Sequence, residues 1–154
     1  MYENTVGKNY DIAMPAKDIA KNIRQHIKTA HPGWKFSVRT TCSTYTPCLT
    51  ITLKHAPERV FKTQDELKNI VPEWKHDKLR RMPFDDYTYH NTTSIDDYEQ
   101  LIMTDEAYRV MKEIYDYAES FNMNDSDAMT DYFSCKFFSY YEVFIEKPSE
   151  EVAL

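Results

Sequence analysis

The chain has 154 residues, the usual size of one domain with one sizeable core. Apolar residues make up 42% and charged residues 29%, which excludes a disordered chain. The formal net charge of -6, from 19 basic and 25 acidic residues, argues against a general binder of phosphate backbones, and no stretch approaches the ~20 apolar residues of a spanning helix.

The first ten residues, MYENTVGKNY, lack the apolar region of a signal peptide. Residues 1–14 read as an N-terminal extension, and a cytoplasmic location without membrane contact is expected. Pro15 then opens a helix over Ala16 to Thr29, since proline suits the first helical turn. Ala16, Ile19, Ala20, Ile23, Ile27 and Ala30 form one apolar stripe at spacings of three and four. Lys17, Lys21, Arg24 and Lys28 form a basic stripe beside it, and Pro32-Gly33 ends the segment.

Two strands follow. Trp34, Phe36 and Val38 alternate with Lys35, Ser37 and Arg39, the period of a strand with one buried face. A polar run from Thr40 to Thr46 serves as a hairpin loop. Leu49, Ile51 and Leu53 then alternate with Thr50, Thr52 and Lys54, again strand-like, with β-branched threonines. A third short strand or an extended piece is expected at Arg59 to Lys62. The Thr63/Glu66 spacing of a capping box predicts a short helix from Gln64 to Val71, stopped by Pro72.

Between Glu73 and Ser94 the pattern is weak: Trp74, Leu79, Met82, Phe84, Tyr87 and Tyr89 follow no steady period, and Arg80 to Pro83 reads as a turn. A second long helix is expected over Ile95 to Ser120, with Ser94 as its cap, or as two helices divided at Thr104. The last strand should run from about Asp131 or Tyr132 to Glu146, a length that demands a bend or bulge. Between them, Asp125 to Phe133 reads as a structural junction. Asn122 or Asn124 should end the helix, Ser126 or Asp127 should cap the next turn, and Met129 and Phe133 should point inward.

These elements predict an α+β domain of two layers over residues 15–147, with a mobile tail at 148–154. A mostly antiparallel sheet of three to four strands should pack against helices, in the rough order α-β-β-(β)-α-α-β.

Chemical motifs are scarce. Gly7 and Gly33 are the only glycines, so phosphate-cradling loops and the G-x-S-x-G elbow are excluded. Cys42, Cys48 and Cys135 are odd in number and are expected as free thiols. Cys42, Cys48, His55 and Cys135 make four zinc ligands on paper, but no second close pair supports such a site. His26, His31, His55, His76 and His90 contain no H-E-x-x-H pair, and His26 and His31 straddle the end of the first helix, so they are not expected to share a face. The cluster of Asn122, Asn124, Asp125, Asp127 and Asp131 lacks the glycine and terminal glutamate of a calcium loop and reads as turn chemistry. No metal, cofactor or catalytic residue is therefore expected.

Charge and aromatic placement are more informative. Residues 1–60 hold nine basic and four acidic residues, net +5, while residues 61–154 hold ten and 21, net -11. Lys21, Arg24, Lys28, Lys35 and Arg39 are candidate contacts of a basic face for nucleic acid. The 17 acids of residues 85–154 allow a DNA-mimicking surface instead. Tyr132, Phe138, Tyr140 and Phe144 share the non-core side of the last strand, a binding patch unless a helix covers it. Asp125, Asp127 and Asp131 are the first suspects for an uncharacterised enzyme.

Two blocks carry a family resemblance. Ile19 to Arg24, continuing into His31-Pro32-Gly33-Trp34-Lys35-Phe36-Ser37-Val38-Arg39, is the first; Asn122 to Phe133, with Asp125-Ser126-Asp127 and Thr130-Asp131-Tyr132-Phe133, is the second. Together they resemble the large-polyvalent-protein-associated domain family, number twenty-nine. The likeness of order and spacing extends over roughly residues 14 to 145. His31 stands where the family usually has an aromatic residue, and His55-Ala56-Pro57 replaces its short Asp-Gly-Pro turn. The resemblance implies a mobile-element, phage or conjugative-plasmid setting and carries over no catalytic residues. The expected function is a non-enzymatic accessory or protein-interaction domain; a nucleic-acid-binding or DNA-mimicking module and an enzyme built on the acidic cluster are the alternatives. The oligomeric state is left open.

Overall fold

The computed structural model describes residues 5–42, 46–70, 88–124 and 135–145. Within them, strand β1 (Thr5–Val6) precedes helix α1 (Ala16–Ala30), and strands β2 (Lys35–Cys42) and β3 (Pro47–His55) follow. Helix α2 (Gln64–Ile70), strand β4 (Thr88–Thr92) and helices α3 (Asp97–Ile102) and α4 (Asp105–Glu119) come next, before strands β5 (Met123–Asn124) and β6 (Phe138–Ile145). The architecture is α+β, a four-stranded sheet packed against helices.

The sheet runs in the order β2-β3-β6-β4. β2 and β3 are antiparallel, as are β4 and β6, whereas β3 and β6 are parallel. The expected antiparallel character therefore holds for two of the three pairings. One sheet face is apolar, because Leu49, Ile51 and Leu53 of β3 and Tyr141 and Val143 of β6 alternate with polar neighbours and are buried. α1 covers this face with Ile19, Ala20, Ile23 and Ile27, and α4 with Ala107, Val110, Met111, Ile114 and Ala118, all in one core cluster. The apolar stripe read from the sequence is thus the buried face of α1, although Ala30 at its end stays exposed.

Several helix ends follow local chemistry. Pro15, in extended conformation, precedes α1 and accepts the amides of Asp18 and Ile19. The box at α2 is formed: Glu66 donates its amide to Thr63 Oγ1 at 3.1 Å, and the Thr63 amide donates to Glu66 Oε1 at 3.3 Å. The expected long helix is divided at Thr104, whose hydroxyl oxygen accepts the Ala107 amide. Its first cap is Asp96 rather than Ser94: the Asp96 carboxylate accepts the Tyr98 amide, and Glu99 Oε1 accepts the Asp96 amide at 3.0 Å. Ser94 instead donates its hydroxyl to Asp96 and supports the cap from outside the helix.

Other differences come from tertiary pairing. Of the two readings for Arg59 to Lys62 the strand does not form; the segment is irregular, and Phe61 alone bridges Met103 in antiparallel fashion. β4 arises where no period was legible, held against β6 by pairs such as His90 with Val143. β1 pairs with β5, and Gly7 then approaches Ser120 so closely that a β-carbon there would overlap its carbonyl. Asn122 binds the end of α4 to the start of β6: its Nδ2 donates to Phe137 O at 3.0 Å, and its Oδ1 accepts the Lys136 and Phe137 amides. The readings for Trp74 to Tyr87, for Asp125 to Phe133 and for the tail at 148–154 lie outside the described residues.

Two outcomes follow for stability. Asn122→Ala strips these backbone groups of their partner and should lower stability by about 1–3 kcal/mol, read as a lower urea midpoint. The Asp96 carboxyl lies below the ordinary carboxylate range, held there by the Ser94 hydroxyl and then by the Tyr98 amide. A lowered carboxylate stabilises the fold above its unfolded pKa of about 3.9 and loses that contribution as pH falls through the folded value. Asp96→Asn, an equally good cap without a charge to lose, should therefore flatten the acid limb of a stability-versus-pH profile and change little at pH 7.

Candidate functional site

The sheet face opposite α1 and α4 carries the aromatic residues expected of a binding patch. Phe138, Tyr140 and Phe144 of β6 alternate with the core-facing Tyr141 and Val143. Phe138 is 42% and Phe144 38% exposed, and Tyr140 is half-buried. Register sets Arg39 of β2 beside Thr50 of β3, and Thr50 beside Tyr140. Lys54 Nζ lies 5.4 Å from the Phe144 ring centre.

A polar row crosses this face between the aromatics. Ser37, Thr52, Glu142 and Asn91 sit opposite one another across the four strands. Thr52 Oγ1 donates to Glu142 Oε1 at 2.8 Å and is buried. Arg39 Nη2 approaches the same oxygen at 3.7 Å. From β4 on the other side, Asn91 Nδ2 donates to Glu142 Oε2 at 3.5 Å, so Glu142 is a negative centre between Tyr140 and Phe144 with partners on both sides.

The basic candidates do not form one track. Lys21, Arg24, Lys28, Lys35 and Arg39 are all exposed. Arg24, however, folds back from α1 and donates to the Val38 carbonyl of edge strand β2 at 2.6 Å. Arg39 lies on the opposite side of the sheet, next to Glu142. Arg24 thus covers a backbone carbonyl of an edge strand, whose backbone groups are otherwise open to pairing. Asp125, Asp127, Asp131 and Tyr132 lie outside the described residues.

The histidines converge in a way the sequence reading did not foresee. His26 Nε2 lies 2.7 Å from Glu113 Oε1 and 3.0 Å from Oε2, and His31 Nε2 lies 2.6 Å from the same Oε1. A separation of five does not place two side chains on one helical face. His31, however, is the residue after α1, with φ -130° and ψ 62°, so its side chain leaves the helical path. Its amide still donates to Ile27 O at 2.8 Å, and its carbonyl accepts from Trp34 across the Pro32-Gly33 turn. Gly33 takes φ 93°, which favours glycine. Glu113 arrives from α4, and Tyr117 one turn later stacks on His26 with ring centres 3.9 Å apart.

Burial pushes the Glu113 carboxyl up, but the hydrogen bonds and charge of His26 and His31 outweigh it and hold the group below its ordinary range. His31 is buried, His26 partly so, and the Glu113 side chain is 43% exposed. Among the described residues this is the set of three His, Cys, Asp or Glu side chains whose ligand atoms all lie within 4.8 Å of one another. The four-residue set drawn on paper does not assemble, since Cys48 and His55 stand near opposite ends of β3.

A polar pair and a polar trio join elements of the fold. His90 Nε2 meets Glu99 Oε2 at 2.9 Å in a nearly buried contact that fastens β4 to α3, while Glu99's other oxygen completes the Asp96 box. Glu119 Oε1 accepts the Ser139 hydroxyl at 2.6 Å and the Tyr141 hydroxyl at 3.3 Å, joining α4 to β6.

No described helix is long and apolar enough to cross a membrane. No curated protein and no solved structure matches the chain. A family model does: Large polyvalent protein associated domain 29 matches residues 14–118. The match takes in the first resembling block, α1 to α3 and α4 up to its last residue, and stops short of the block at 122–133. Because it spans well over half of the chain, the chain belongs to the large polyvalent protein associated domain 29 family, a mobile-element-associated family of domains.

Proposed function

We propose that this chain is a non-enzymatic accessory domain of the cytoplasm that binds another protein through the sheet face opposite its helices. The observation that carries this reading is the exposure of Phe138 and Phe144, at 42% and 38%, on one strand with Tyr140 between them. Aromatic side chains of this kind dominate the energetics of protein interfaces because they bury much area at little entropic cost. Arg39, Lys54 and Glu142 provide a polar frame around them, as interface rims do. The fitting partner presents an apolar strip flanked by carboxylates that meet Lys54 and Arg39.

The scattered basic residues favour this reading over nucleic-acid binding. Arg24 is committed to the Val38 carbonyl and Arg39 faces a carboxylate, whereas a phosphate track needs its cations aligned and free.

Affinity purification from the native host, followed by direct titration of the recovered protein, tests the proposal. Phe138→Ser combined with Phe144→Ser should weaken binding about thirtyfold or more, the loss typical of interface hot spots, while circular dichroism shows the fold retained. Equal binding by the double variant overturns the proposal. So does salt-sensitive binding of duplex DNA that survives the same two changes.

A further inference from the structure

We infer that His26, His31 and Glu113 form a binding site for a divalent first-row transition ion of the zinc type, tying the end of α1 to α4. This goes beyond the interaction reading and rests on different residues on the other side of the sheet.

Three observations support the site. The Nε2 atoms of both histidines point at one carboxylate oxygen, at 2.7 and 2.6 Å, and the three ligand atoms all lie within 4.8 Å of one another. Two imidazoles with one carboxylate are the donor set of three-ligand zinc centres, and imidazole selects such ions over magnesium or calcium, which take oxygen ligands. The ligands are also held in place. His26 stacks on Tyr117 at an interplanar angle of 6°, and His31 is buried at the cap of α1 between its bonds to Ile27 and Trp34.

The spacing fits an ion after a small adjustment. Ligand atoms at about 2.0–2.1 Å from a tetrahedral zinc ion stand roughly 3.3 Å apart. The present separations from Glu113 are 2.6–3.0 Å, a few tenths of an ångström short, so the carboxylate withdraws slightly while the two rings, whose ligand atoms lie within 4.8 Å of each other, close on the ion. Glu113 can do so because its side chain is 43% exposed and not packed in the core. Three protein ligands leave a fourth position for water.

The competing account is a plain hydrogen-bonded triad, in which both rings donate to Glu113. The two differ in one measurable respect, since only the metal site binds an ion stoichiometrically. The full chain, stripped of metal by a chelator, is titrated with Zn²⁺ against a chromophoric competitor. One equivalent should bind, and the thermal midpoint should rise with added Zn²⁺. His31→Gln and Glu113→Gln should each weaken binding about 100-fold or more, since even partners that only orient a ligand are worth 10–100-fold. His55→Ala, at the far end of β3, should bind as the unaltered chain does. Circular dichroism of the metal-free proteins establishes that the variants fold.

Substitution with Co²⁺ keeps the test decisive if a variant fails to fold. The unaltered chain should show visible bands of a nitrogen and oxygen site without the intense near-ultraviolet band of thiolate ligation. Absence of stoichiometric binding overturns the inference. So does binding that is unchanged in both variants, or a thiolate band that assigns the ion to the cysteines.

Discussion

The parallel pairing of β3 with β6 is the constraint on which the rest of the structure depends. Two parallel neighbours cannot be joined by a hairpin; the chain has to leave the sheet and return to the same end. The connection from His55 to Phe138 therefore carries α2, α3 and α4 outside the sheet, besides the edge strand β4, and these helices need a surface to cover. The apolar face of β3 and β6 supplies it. α4 is laid over the side that α1 already occupies, and both helices share one core with Leu49, Ile51, Leu53 and Val143. β4 enters as an antiparallel edge beside β6, and β2 forms the other edge.

Bringing α1 and α4 side by side has a chemical consequence. The core-facing stripes are apolar, but where the pair reaches the surface near the end of α1, His26 and His31 meet Glu113. The polar links elsewhere act in the same way, each spanning a joint of the fold. Glu99 links β4 to α3, Glu119 links α4 to β6, and Asn122 closes the step from α4 into the last strand. Buried polar groups of this kind are costly unless each finds its partner, so they specify which elements meet.

The two sheet faces then have different fates. One is closed by helices and holds the core. The other keeps Phe138, Tyr140 and Phe144 beside a polar row centred on Glu142. The partly aromatic face is thus left by the sheet itself, and the histidine–glutamate cluster lies on the helical side, away from it.

Local pattern determined much of this fold from the sequence alone. The stripe from Ile19 to Ile27 named α1 and its buried face, the alternations around Val38 and Ile51 named β2 and β3, and the Thr63/Glu66 box named α2, because each depends only on neighbours a few residues away. The aromatic side of the last strand was legible for the same reason: period two separates Phe138, Tyr140 and Phe144 from Tyr141 and Val143. The tertiary structure decided what depends on distant partners. β4 has too short and polar a sequence to declare itself, and exists through its bonds to β6. Arg24 was legible as a surface cation, but only the position of β2 turns it onto a backbone carbonyl. His26 and His31 looked unrelated on a helical wheel. They meet because the cap residue leaves the helix and because a glutamate 82 positions beyond His31 is carried to it by the crossover, a long-range contact that no local spacing encodes.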